Sequence, residues 1–236
     1  PELAGNMVQG YNVYDGSSNA GPAPNSSGWH GTFVAGLAAA AGNNSTGVAG
    51  MGWNVKIMPI QVIRPDGTAY ISDLCVGINW AADHGAKVAN VSMITNGSSS
   101  IDTAAKYLRG KGGLLCVAAE NNGIAPGFAD YPSYISVGAS DENDAKTSWS
   151  NYGTYIDVVA PGINMRSTYT GGSYATGYGT SFSTPVVSGL AALIYSGNPN
   201  FTPAQGENFI FSTGVDLGAA GDDNVFGRGR VNAAAA

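Results

Sequence analysis

Four short runs rich in Val, Ile and Leu recur along the chain, at residues 56–63, 87–92, 113–119 and 134–138, each bounded by turn-forming residues. Runs of that length with little polar alternation predict strands covered on both faces. Between and around them the spacing becomes helical, over 30–41, 71–84 and 100–109, with Ser72 or Asp73 placed to cap the second. Strands alternating with helices imply right-handed crossovers and a parallel sheet buried from both sides. A Tyr- and Gly-rich stretch then reads as loop, 181–195 as a long apolar helix, and Thr202-Pro203 as the start of another that runs to 211. The predicted architecture is α/β, a three-layer sandwich around a mainly parallel central sheet. In such folds sites form at the carboxyl ends of strands.

With 44% hydrophobic residues, 236 residues suffice for one sizeable core, and no repeat, low-complexity block or linker divides 1–236. One domain is expected. The net charge of −6 removes the basic footprint that nucleic acid or anionic lipid requires, so neither is an expected partner. Apolar stretches such as 33–41 fall far short of the roughly 20 residues that cross a bilayer. Only 11% of residues are charged, with Gly, Ser, Thr and Asn filling the intervals, a surface common among secreted hydrolases; an extracellular location is expected. Because the sequence opens at Pro1 without a leader pattern, any targeting segment is expected to lie outside it. Cys75 falls in a predicted helix and Cys116 in a predicted strand, with no CxxC or Cys/His clustering. They are two buried free thiols or a disulfide pair, a choice that turns on their Cα separation.

Two segments carry candidate chemistry. Gly28-Trp29-His30-Gly31-Thr32-Phe33-Val34-Ala35-Gly36 puts an imidazole at the mouth of an apolar helix, and Gly179-Thr180-Ser181-Phe182-Ser183-Thr184-Pro185 puts a hydroxyl at another helix N-terminus. There, unpaired N–H groups and the helix dipole favour developing negative charge. Either residue alone has a plain structural reading, a satisfied histidine or a helix cap. Their pairing does not. The second histidine, His84, ends its helix before Gly85 and is assigned no catalytic role.

Together the two segments resemble the histidine and serine motifs of the subtilisin family, HGTxVAG and GTSxxxP, in the family's order. The likeness extends from Pro1-Glu2-Leu3 to Gly229-Arg230-Val231-Asn232-Ala233, and includes Val158-Val159-Ala160-Pro161-Gly162, a structural signature. Ala118-Ala119-Glu120-Asn121-Asn122-Gly123 is similar to the family's AAGNxG, whose asparagine amide donates to the oxyanion. The resemblance implies a serine endopeptidase acting on protein or peptide through an acyl-enzyme. His30 would be the general base, Ser181 the nucleophile and Asn121 the oxyanion donor, with Ser92, Met93, Ile94, Ala119 and Glu120 lining the substrate cleft. A monomer is expected, with a propeptide as a further partner.

The resemblance also implies structural calcium, held by Glu2 with Gly42, Asn44, Thr46 and Val48 of a loop. The alternative reading of residues 42–48 is a polar turn. Asn12, Asp15 and Ser17 would form a weaker second site.

The chain departs from the family at several points. The triad aspartate is absent, because the family's D[ST]G motif precedes the segment matched by Pro1. Asp15 follows that position and is no substitute, so the sequence is expected to be an N-terminally incomplete peptidase domain. Ser92-Met93-Ile94-Thr95 stands where the family has SLGG, Glu120 replaces a glycine, Val186-Val187-Ser188 alters PHVAG, and Phe182 replaces the usual methionine. Phe182 thereby removes an oxidisable thioether beside the serine. Glu120 is expected either to point its charge into the specificity pocket, favouring Lys or Arg before the scissile bond, or to turn to solvent. The competing functional class is a catalytically impaired binding module on the same scaffold. An α/β-hydrolase esterase is disfavoured, since Ser181 is not in a GxSxG elbow.

Overall fold

The computed structural model describes residues 2–22 and 28–236. Its central sheet is four parallel strands in the order β3 (Val88–Val91), β4 (Leu114–Ala118), β5 (Ile135–Ser140), β6 (Val158–Pro161). Strand β4 shows why apolar runs predict buried strands. Leu114 and Cys116 face one way, into a cluster with Val186, Val187, Leu190 and Ile210, while Leu115 and Val117 face the other, against Leu74, Ile78, Ile101 and Leu108. With a residue period of two, a strand buried on both faces has no polar positions to show.

Helices α2 (Ile71–Asp83) and α3 (Ser99–Gly110) form one outer layer. On the other face α4 (Thr180–Gly197) packs against all four strands of the central sheet, flanked by α1 (Trp29–Ala39) and α5 (Pro203–Ser212). This is the expected three-layer α/β sandwich. Thr202 caps α5 as anticipated, its hydroxyl accepting from Gln205 N–H at 3.3 Å while Gln205 reaches back to Thr202 N–H at 2.9 Å.

Four details correct the sequence reading. Of 56–63, only β2 (Ile60–Gln61) forms a ladder, pairing in parallel with β1 (Tyr11–Asn12). Among the described residues the other edges of β2 and of β3 pair with no strand, so the ladder contacts that would extend β2 are missing. The anticipated side-chain cap of α2 is not made: Tyr70 is the N-cap, and Asp73 instead takes a two-pronged ion pair from Arg64 at 2.8 and 3.1 Å. The stretch read as loop is an antiparallel hairpin, β7 (Met165–Tyr169) with β8 (Ser173–Gly177). Both cysteines are free, and Cys75 is half-buried where burial was expected.

Candidate active site

The site is assembled at the carboxyl ends of β3 and β4, against the N-terminus of α4. Gly179 opens α4 with φ 145°, a left-handed backbone that favours glycine, and its N–H donates to Gly162 O at 2.8 Å. The first N–H groups of the helix, that of Ser181 included, have no intrahelical acceptor. Pro185 sits four residues after Ser181 and carries no N–H, so the Ser181 carbonyl loses its normal helical donor. Ser92 supplies the replacement: its hydroxyl donates to Ser181 O at 2.7 Å and itself accepts from Asn90 Nδ2 at 2.9 Å. The Ser181 hydroxyl in turn donates to Ser92 O at 3.3 Å. Ser92, placed by sequence in the substrate cleft, is thus a brace of the Ser181 turn, a role that the apolar-run reading did not suggest.

His30 is positioned by the neighbours of α1. Ser167 and Thr168 of β7 donate to the carbonyls of Phe33 and Thr32 at 2.7 and 2.8 Å, an approach so close that a Cβ on Gly36 would lie 2.3 Å from Ser167 Oγ. The imidazole then rests between Trp29 and Phe182, at ring separations of 5.6 and 5.8 Å, and Phe182 packs on Phe33 at 4.3 Å. Burial among these rings lowers the His30 pKa below its ordinary value, because desolvation penalises the charged form. Among the described residues no hydrogen bond reaches the imidazole. Asp15 is engaged elsewhere, its Oδ1 accepting from Ser17 N–H at 2.9 Å in an exposed turn.

Asn121 follows β4. Its Oδ1 accepts from the Thr180 N–H at 2.8 Å and the Thr180 hydroxyl at 3.0 Å. A backbone N–H can only donate, so the amide oxygen is fixed there and the NH₂ end is the one left free to donate elsewhere. Glu120 follows neither expected course. Its side chain is buried, with the residue 6% exposed, and Oε1 accepts from the N–H groups of Thr95 and Asn96 at 3.2 and 2.8 Å. Two backbone donors at the turn after β3 draw it away from solvent. Ala119 is buried, Met93 half-buried and Ile94 68% exposed on the outer rim.

The candidate calcium residues also come together in part. Glu2 is buried at 2% exposure and accepts from the Tyr174 hydroxyl and from Val48 N–H, the latter at 3.3 Å, at the end of the 42–48 loop. Burial opposes ionisation of Glu2, but these hydrogen bonds prevail and its pKa is lowered. Asn43, Ser45 and Gly47 have φ of 56°, 56° and 50°, so the loop alternates left-handed residues around a shallow concavity lined by Gly42, Asn44, Thr46 and Val48. Asn44 Oδ1 already accepts from Thr46 N–H at 3.0 Å and keeps a second lone pair. Among the described residues no trio of His, Cys, Asp or Glu is poised around a metal, so a cation here would rest on carbonyl oxygens with Glu2 as the charged partner. One carboxylate with backbone oxygens suits a hard ion. In the second group, Asn12 Oδ1 accepts from Tyr14 N–H at 2.9 Å.

The sequence profile of the subtilase family matches residues 1–229. The chain belongs to the subtilase family. It is 42% identical over 203 residues to a thermophilic serine proteinase of Bacillus sp. (strain AK1), covering 85% of this chain and 50% of the relative. It is 38% identical over 236 residues to thermitase of Thermoactinomyces vulgaris, covering 99% of this chain and 82% of thermitase. Among solved structures, a protease of Pseudoalteromonas arctica PAMC 21717 superposes with a TM-score of 0.85 at 31% identity, over 99% of this chain and 84% of that one. This subtilase chain therefore spans about half the length of some relatives and most of others.

Proposed function

We propose that this subtilase chain carries the nucleophile, base and oxyanion donor of a secreted, monomeric serine endopeptidase, within one peptidase domain. The observation that carries the reading is the Asn121 amide, whose Oδ1 accepts from the Thr180 N–H, one residue before Ser181 at the start of α4, so that the NH₂ group is the end left to donate. A serine hydroxyl is a weak nucleophile at neutral pH, so a base must take its proton as it attacks the scissile carbonyl. His30, whose burial among aromatic rings disfavours the protonated form, is the residue for that step. As the carbonyl oxygen becomes an oxyanion, Asn121 Nδ2–H and the Ser181 N–H are the groups that would donate to it. Collapse expels the amine, which receives the proton from His30, and leaves an acyl-Ser181 ester for water to cleave. Calcium bound by Glu2 with Gly42, Asn44, Thr46 and Val48 would tie the N-terminal residues to the loop after α1, a structural role.

A fluorophosphonate probe tests the reading in the full-length protein. Labelling of Ser181, lost in Ser181→Ala together with hydrolysis of unfolded protein, supports it. A protein that takes up no label is a binding module on this scaffold.

A further inference from the structure

Glu120 is a charged side chain at the candidate cleft whose charge the proposed chemistry does not use. It occupies a left-handed backbone conformation, φ 75°, that residues with a Cβ seldom adopt. The chain thereby turns sharply between residues 120 and 121, and the two side chains bond in different directions. Glu120 accepts from Thr95 and Asn96, at the turn after β3. Asn121 accepts from Thr180, at the start of α4. The carbonyl of Glu120 also accepts from Asn151 N–H at 3.1 Å, so the turn is held on a third side. The anchored segment is itself constrained: Asn96 and Gly97 have φ of 50° and 60°, and a Cβ on Gly97 would lie 2.7 Å from Phe128.

We propose that Glu120 is a positioning residue, a carboxylate latch that fixes the 92–96 wall of the cleft to the turn carrying Asn121. A carboxylate is costly to bury without partners and is held here by two N–H donors, so separating the wall from the turn would leave a buried acceptor unpaired. Among the described residues no Lys or Arg pairs with it, and Oε2 accepts no hydrogen bond yet is not sealed from solvent. The sharpest rival is direct recognition of a basic substrate side chain by that second oxygen. The latch is favoured because Oε1 already has two donors and the residue retains little accessible surface.

The inference rests on the peptidase reading for its kinetic consequence, but not for its structural one, and the experiment separates them. Hydrogen exchange at the Thr95 and Asn96 amides is measured in the wild type, Glu120→Gln and Glu120→Ala, with kcat and KM on peptides differing only in Leu, Phe, Lys or Arg before the scissile bond. The latch requires these two amides to exchange at least about tenfold faster in Glu120→Ala and to be largely restored in Glu120→Gln, whose amide oxygen can still accept. It also requires kcat to fall about tenfold in the alanine variant and to recover in the glutamine variant, with the order of substrate preference unchanged. Unchanged exchange in Glu120→Ala overturns the latch, and so does a Lys or Arg preference that disappears in Glu120→Gln. If Glu120→Ala does not fold, the same tests apply to Glu120→Gln alone, where near-normal exchange with an intact preference supports the latch. A wild type that hydrolyses nothing would sink the peptidase reading and leave the exchange result to decide the latch.

Discussion

The hydroxyl of Ser92 donates to the carbonyl of Ser181 at 2.7 Å, the acceptor that Pro185 strips of its helical partner. Ser92 is 7% exposed, so the Ser92→Ala variant leaves a largely buried acceptor unpaired, at a cost of about 1–3 kcal/mol. The urea midpoint is expected to fall with no change in the slope of the transition. Turnover is expected to fall more than substrate affinity, since the turn that loses its brace carries Ser181, the proposed nucleophile. A midpoint equal to wild type would show that the carbonyl needs no replacement donor.

In the proposed mechanism Asn121→Ala removes a donor to the developing oxyanion. kcat is expected to drop by about 10²–10³ with KM nearly constant, a magnitude known from subtilisin itself, the family's type member. A loss confined to KM would assign Asn121 to substrate binding instead.

His30 must be neutral to accept a proton, and burial lowers its pKa. The acid limb of the kcat/KM profile should therefore lie below the ordinary imidazole value of about 6.5. The same shift affects stability: the unfolded chain binds a proton that the native site resists, so His30 destabilises the fold only as pH falls through about 6.5 and below. An acid limb above that value would mean that a carboxylate or another anion dominates the imidazole in the working protein.

Calcium is expected to raise the melting temperature, because a ligand bound only by the folded state adds about 2.7 kcal/mol at a hundredfold excess over its dissociation constant. Glu2→Gln should weaken the effect by removing the charged ligand. Identical melting in calcium and in EDTA would leave the 42–48 loop as a polar turn.

The layered fold could be read from the chain because β4 and β5 are uniformly apolar and the amphipathic α3 is bounded by Ser98, whose side chain caps it. The β7–β8 hairpin was missed, since MRSTY and SYATG carry too few apolar residues for a buried-strand signal. A turn signal was nonetheless present: Gly171 and Gly172, both with positive φ, are a Gly-Gly pair between two short strands. At the site, the positions of Ser181 at the start of α4 and of Asn121 just after β4 follow from motif and strand order. The direction of the Glu120 side chain does not, because it depends on two N–H groups 24 and 25 residues away in sequence. The Ser92 brace could have been inferred from Pro185, which announces an unpaired carbonyl four residues earlier, although not which hydroxyl would answer it.

Ser181, the proposed nucleophile, stands on the helix that touches all four strands of the central sheet. Heat therefore has no easy way to disarm Ser181 while sparing the rest: α4 cannot loosen without opening the core that Val187 and Leu190 share with Leu114 and Val137. Residual activity along a temperature ramp should trace the same curve as the loss of near-ultraviolet circular dichroism, making the active site a thermometer for the whole molecule.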